Sequence, residues 1–311
     1  MTYHLSYFFK KDIRKGRYVA LSIEPTNICN LSCLECPTGT DSLNRKKGFF
    51  SLEAFNRLLL EKAKDLIYMN FYFQGEPFLN KNLVKMIQMA SEKKIYTSLS
   101  TNAQLIDRTM AQEIVTSGLN RIILSIDGTT QEVYEKYRRG GKLDLVIKAS
   151  QYLLEARALS AKKYPKIVFQ FLVFKHNEHQ IDDIKKMARK MKVDKLEIKT
   201  AQIYNFQTST EGIPTIDKYS RYRKGLDGRY TIKSKLPNKC WRMWHSAVIT
   251  QDLDVVPCCY DKDASHCLGN ISDLSIMEIE RDEKYKTFRQ KILNERSSVA
   301  ICNNCSEGLS I

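Results

Sequence analysis

Three cysteines, Cys29, Cys33 and Cys36, stand at C-x3-C-x2-C in the stretch Ser22-Ile23-Glu24-Pro25-Thr26-Asn27-Ile28-Cys29-Asn30-Leu31-Ser32-Cys33-Leu34-Glu35-Cys36-Pro37. They occupy one short loop directly after the apolar, strand-like run 18–23. Three thiolates at this spacing can hold three irons of a four-iron four-sulfur cluster and leave the fourth iron without a protein ligand. Structural zinc sites prefer four ligands in two paired knuckles, so three cysteines without a nearby fourth fit zinc poorly.

From residue 18 to about 200, short β-rich runs alternate with longer segments of helical period. The strand candidates are 18–23, 68–73, 97–101, 121–126, 167–173 and 195–199. Between them, 51–64, 80–94, 108–118, 143–158 and 179–191 read as helices. Six strands with intervening helices imply parallel pairing through right-handed crossovers, hence an α/β chain with an open or partial barrel. Such sheets place ligands at the carboxyl ends of their strands. At 311 residues and 43% hydrophobic, the chain can bury one full core and still supply a small second domain. Residues 1–17 read as an N-terminal extension, 18–205 as the barrel, 206–236 as a linker or substrate loops, and 237–311 as the second domain. Gly212, Pro214, Gly225 and Gly228 punctuate the linker.

C-x3-C-x2-C early in a chain of this size resembles the radical S-adenosylmethionine (SAM) superfamily. The resemblance implies a partial (β/α)6 barrel, with SAM chelated to the open iron and cleaved by one electron to methionine and a 5′-deoxyadenosyl radical. Gln74-Gly75-Glu76-Pro77 resembles the family's Gly-Gly-Glu-Pro motif, whose backbone receives the amino group of SAM. Ser98-Leu99-Ser100-Thr101-Asn102-Ala103 is similar to its Ser-Thr-Asn-Gly segment, and the fourth strand ends in Ser125-Ile126-Asp127-Gly128. By the same resemblance Ser100, Asn102, Ser125 and Asp127 contact the ribose and carboxylate of SAM; the competing reading is that such residues simply cap helices and turns. Tyr134-Glu135-Lys136-Tyr137-Arg138-Arg139-Gly140-Gly141 resembles a Tyr-x-x-x-Arg-Gly-Gly segment, which makes Arg138, with Arg139 as the alternate, the expected partner of the SAM carboxylate. The chain departs from the family where Glu35 replaces an aromatic residue before the third cysteine.

The C-terminal cysteines Cys240, Cys258, Cys259, Cys267, Cys302 and Cys305 lie in a pattern similar to the SPASM and twitch extensions of this superfamily. The family's glycine five residues before the ligand cysteine is Leu253 here. The short form implies one auxiliary four-iron cluster on Cys240, Cys258, Cys302 and Cys305, serving electron transfer or structure. Cys259 and Cys267 are then spare; Cys259 reads as a buried hydrophobe, and either thiol over the barrel mouth could donate a hydrogen atom, as epimerases of the superfamily require.

The formal net charge is +15, which two clusters with seven thiolates bring to about +12. That balance favours an anionic substrate, although part of it, in 181–192, reads as a solvated helix face. The expectation is a radical SAM oxidoreductase or epimerase acting on a small polar, anionic molecule: a sugar, aminocyclitol or nucleotide sugar. Alternatives are a ribosomal-peptide maturase, an RNA-modifying enzyme, and a non-enzymatic iron–sulfur electron carrier. About 17 residues before the first strand weigh against a leader-binding domain, and no RNA-binding module is visible. An electron carrier would not need Gly75, Glu76, Asn102 and Ser125. A flavodoxin or ferredoxin is the expected external reductant. No apolar run approaches the roughly 18 residues of a membrane span, the aromatic start (Tyr3, Tyr7, Phe8, Phe9) reads as too short and too quickly basic for a signal peptide, and nine cysteines on that reading point to the cytoplasm.

Overall fold

The computed structural model describes residues 2–13, 17–207 and 211–306. Six strands, β1 (Ala20–Ile23), β2 (Tyr68–Asn70), β3 (Tyr96–Thr101), β4 (Arg121–Ser125), β5 (Lys166–Val173) and β6 (Lys195–Thr200), pair in parallel in chain order. Helices Leu52–Lys62, Leu83–Glu92, Arg108–Thr116, Leu143–Leu159 and Ile181–Met191 fall between or alongside them. Side-chain caps start two of these helices: Ser51 accepts from the Ala54 N–H and Asp107 from the Met110 N–H. Apolar spacing then seats them, as Phe55, Leu58 and Leu59 enter the core and Ile181, Ile184 and Ala188 do the same beneath an exposed Lys186, Arg189 and Lys190.

Two elements differ from the sequence reading. Strand β2 ends at Asn70 rather than 73, because the chain leaves the ladder after one more bond, Phe71 N–H to Ser98 O (2.8 Å), and turns over the sheet. A short helix, Gln131–Tyr137, capped by Thr130, precedes Arg138.

Residues 206–236 contain a small hairpin of β7 (Tyr222–Lys224) and β8 (Tyr230–Ile232). The C-terminal cysteine region then joins the main sheet. Strand β9 (Ser246–Ile249) pairs in parallel with the free side of β1, β10 (Asp254–Val256) lies antiparallel to β9, and β11 (Gly269–Asn270) antiparallel to β10. The sheet therefore has nine strands, ordered β11-β10-β9-β1-β2-β3-β4-β5-β6. At the β9–β10 turn Leu253 adopts φ +73°, the left-handed conformation that a glycine holds without strain. Arg289 of helix Glu283–Glu295 binds Asp12 at 2.7 Å, tying the N-terminal segment to the C-terminal region.

At the β6 edge, Glu197 takes Arg121 and Lys195 at 2.8 Å and Lys199 at 3.1 Å. Burial works to raise its pKa, but the three cations hold it down to about 2. A depressed carboxylate stabilises the fold above its unfolded pKa and loses that contribution as pH falls through the folded value. Glu197→Gln is expected to cost about 1–2 kcal/mol at pH 7, discounted for solvent screening, with the deficit shrinking between pH 4.5 and 2. Urea titrations across that range check it; a deficit that does not change with pH contradicts the assignment.

Candidate functional site

The carboxyl ends of β1 to β4 open into one cleft lined by Cys29, Cys33, Cys36, Gly75, Glu76, Ser100, Asn102, Ser125 and Arg138, with Tyr72 and Phe73 on its wall. The parallel sheet explains the gathering. The cysteine loop follows β1, Gly75 and Glu76 follow β2, Asn102 follows β3, and Ser125 ends β4. Cys33 is buried and the other two thiols half-buried. The Leu31 N–H points to Cys29 Sγ at 3.4 Å, Asn102 Nδ2 lies 3.8 Å from the same sulfur, and Arg138 Nη1 lies 3.8 Å from Cys33 Sγ. Burial pushes the Cys29 thiol up to about 11 and raises Cys33, which the Arg138 charge opposes. Thiolates there need positive charge beside them, which an iron–sulfur core supplies.

Gln74 and Asp127 stand behind this lining. Gln74 Oε1 accepts from Thr38 Oγ1 at 3.1 Å. Asp127 is fully buried; its Oδ2 accepts from Arg138 Nε at 2.6 Å and its Oδ1 from the Leu172 N–H at 2.6 Å. Asp127 thus orients the Arg138 guanidinium. Arg139 faces solvent, while its carbonyl accepts from the Ser32 N–H at 3.1 Å. The Glu76 carboxylate is occupied by the protein: Oε1 accepts from Thr101 Oγ1 (2.7 Å) and the Phe78 N–H (3.2 Å), Oε2 from the Asn102 N–H (2.7 Å). It braces the ends of β2 and β3.

Several residues shape the loop, and of these Gly39, Asn27 and Thr26 carry no sequence signal of their own. A Cβ on Gly39 would lie 2.5 Å from the Cys33 nitrogen, so only glycine lets the chain fold back on that cysteine. Gly75 combines φ +72° with contacts of 2.4 and 2.7 Å from a built Cβ to the Thr26 and Ile28 carbonyls. Asn27 Nδ2 donates to Lys46 O at 2.8 Å and Thr26 Oγ1 to Gly48 O at 2.6 Å. Glu35 accepts from the Tyr204 N–H at 3.0 Å, which ties the cysteine loop to the segment after β6.

The second group forms around Arg296, buried in helix-end backbone. Its Nη1 donates to Lys239 O at 2.8 Å and its Nη2 to Cys305 Sγ at 3.2 Å. Its charge also reaches Cys240 and Cys302, and Cys258, whose thiol burial pushes well up, feels those same two cysteines. Cys240, Cys258, Cys302 and Cys305 therefore share one locality. Cys259 is exposed rather than the buried hydrophobe expected; it interacts with Arg242 and Lys262 and also with Cys258 and Cys305, and is not part of the cleft lining. Cys267 Sγ sits 3.5 Å from Gly269 O beside β10 and β11 and does not line the cleft. Among the described residues no three or more His, Cys, Asp or Glu side chains converge on a single metal ion, and none of their helices is long and apolar enough to cross a membrane.

A family model described as the radical SAM superfamily matches residues 23–190, and one described as an iron-sulfur cluster-binding domain, SPASM, matches 240–306. Together they imply SAM and more than one four-iron cluster as cofactors, and the cleft that gathers Cys29, Cys33 and Cys36 is chemically suited to the first. The PqqA peptide cyclase of Bradyrhizobium diazoefficiens is 25% identical over 248 residues, 74% of this chain and 63% of that protein. The chain spans between 44% and 67% of the length of the curated relatives it matches. Among solved structures, SuiB of Streptococcus suis bound to S-adenosylmethionine covers 98% of this chain and 76% of its own, with a TM-score of 0.70 and 17% identity. BtrN in complex with AdoMet and 2-DOIA covers 93% of each chain, with a TM-score of 0.56 and 20% identity. These two likenesses show the fold alone. The expected small anionic substrate is corrected by the relatives: of six, four are named PqqA peptide cyclase, one mycofactocin maturase and one a probable GTP 3',8-cyclase, and SuiB is also known bound to the precursor peptide SuiA.

Gly75→Ala is expected to destabilise the protein by roughly 2–4 kcal/mol, combining a left-handed backbone with a forced backbone contact, and to lower iron bound by the first cysteine loop. Thermal melts and iron analysis check both, and normal iron content with an unchanged melting temperature contradicts the packing argument.

Proposed function

The chain belongs to the radical SAM superfamily, and on that premise we propose that it matures a peptide, abstracting hydrogen from a residue of a ribosomally made precursor. The observation that carries the chemistry is the single cleft joining three thiols to Ser100, Asn102, Ser125 and Arg138 at the carboxyl ends of parallel strands. The peptide reading is supported by the names of the relatives, PqqA peptide cyclase among them.

Cys29, Cys33 and Cys36 would hold the first cluster, and Cys240, Cys258, Cys302 and Cys305 the second. A four-iron cluster with SAM on its open iron supplies a 5′-deoxyadenosyl radical when reduced. The rest falls to this chain's own groups. Backbone carbonyls at Gln74 and Gly75 suit an ammonium, since a carbonyl accepts and Gly75 has no side chain to stand in the way. Asp127 fixes the Arg138 plane through Nε, which leaves Nη groups for a carboxylate and for the Cys33 sulfur. Ser100, Asn102 and Ser125 offer hydroxyl and amide groups to a ribose without a competing full charge. Tyr72 and Phe73 supply an apolar wall that limits water at the reacting end.

Precursor peptides encoded beside the gene, supplied with SAM and reductant, test the reading. A matching peptide is expected to raise 5′-deoxyadenosine formation at least tenfold and to change mass, and Cys29→Ala/Cys33→Ala/Cys36→Ala is expected to abolish both. Stimulation by a small metabolite and by no peptide contradicts it.

A further inference from the structure

Among the described residues, Arg221 and Lys262 make no ion pair with a carboxylate, although Asp263 acts on Lys262 from one residue away. Arg221 is 9% exposed; its Nη1 and Nη2 donate only to the backbone carbonyls of Asn304 (3.3 Å) and Thr200 (3.2 Å), and its Nε is buried without an acceptor. Lys262 Nζ donates to the Tyr204 hydroxyl and lies 4.8 Å from that ring's centre. The two cations act on each other, and Lys262 also feels Cys36 on one side and Cys259 on the other. Of the nearby carboxylates, Glu35 accepts from the Tyr204 N–H and Asp263 from the Asn44 N–H at 2.9 Å, and Asp263 offsets part of the Lys262 charge while none pairs with Arg221 among the described residues. Thr200 ends β6, so Arg221 stands at the carboxyl end of the last parallel strand, on the same side of the sheet as the cleft.

A buried guanidinium beside a second cation is costly unless an anion joins them, and arginine presents a fork that suits a carboxylate. We propose that Arg221 and Lys262 form a subsite for a carboxylate of the substrate peptide, either an acidic side chain or a chain end, holding it across the mouth of the barrel. The proposal rests on the peptide reading above. Tyr204 orients Lys262 through its hydroxyl, and the bond from Glu35 to the Tyr204 backbone sets that tyrosine relative to the cysteine loop. The subsite thus couples the substrate's position to Cys36.

Four probes test it on the cluster-loaded, SAM-bound protein: acetyl-Gly-Glu-Gly-amide, acetyl-Gly-Gln-Gly-amide, acetyl-Gly-Gln-Gly with a free carboxyl end, and glutarate. One of the two carboxylate peptides is expected to bind at least tenfold more tightly than the neutral one, and which one does so identifies the carboxylate's source. The preference is expected to vanish in Arg221→Gln and in Lys262→Gln, with iron content unchanged, and to persist in Arg223→Gln, an exposed neighbour. Equal or undetectable binding of the three peptides, or a preference that survives both substitutions, overturns the proposal. So does iron loss in the variants, which would make the cations counter-charges for the clusters. Glutarate binding that depends on Arg221, without peptide binding, would overturn the peptide assignment while retaining a carboxylate site, separating the two readings.

Discussion

Strand β1 is hydrogen-bonded on both sides, to β2 and to β9, and the remaining architecture depends on that placement. Four residues in the middle of a nine-stranded sheet cannot shift register without moving both halves of the molecule. The cysteine loop leaves from the carboxyl end of this strand, so its origin is as fixed as any point in the fold. Immediately after β1, Glu24 is fully buried and takes both Nη groups of Arg45 at 2.7 Å and the Gln251 N–H at 2.9 Å. Arg45 Nε continues to Lys262 O at 2.8 Å. The chain after the cysteines is thereby held to the β9–β10 turn and to the loop that follows β10. Removing one partner of such a pair strands a buried charge, which makes it a strict positional constraint even where its net contribution to stability is small.

This arrangement gives the two cysteine groups one frame rather than two. The first sits where the parallel strands end, and the second packs around Arg296 at the far side of strands that share the same ladder. Lys262 donates to the Tyr204 hydroxyl, and Tyr204 is tied through its N–H to Glu35 in the first cysteine loop. The distance between the groups is then set by backbone pairing, not by a flexible linker.

Much of the fold was legible because its signals are local. Ser51 and Asp107 announce their helices, and the apolar spacing in Ile181–Met191 repeats at the helical period. The gathering of Cys29, Gly75, Asn102 and Ser125 was legible for a different reason: a parallel sheet brings the ends of consecutive strands together whatever lies between them. Long-range pairings were not legible. Nothing near Ala20 indicates that it pairs with Ser246, and Arg45 reads as one more basic residue in a polar loop until Glu24 is seen against it. Asp127 looked like a ligand contact, but a short polar residue at a strand end serves equally to hold an arginine, and here it does so. The substrate expectation went astray because net charge is a property of the whole surface. It says little about one cleft, and the point where a sequence begins says nothing about how a peptide is recognised.

Iron and acid-labile sulfide per chain, measured after anaerobic purification of the wild type and of Cys29→Ala/Cys33→Ala/Cys36→Ala, test the central claim that two separate cysteine groups each hold a four-iron cluster. About eight irons falling to about four is the expected result, with the remaining iron assigned to the C-terminal group. About four falling to near zero would mean that Cys240, Cys258, Cys302 and Cys305 hold no cluster, and the two-centre account of this protein would not stand.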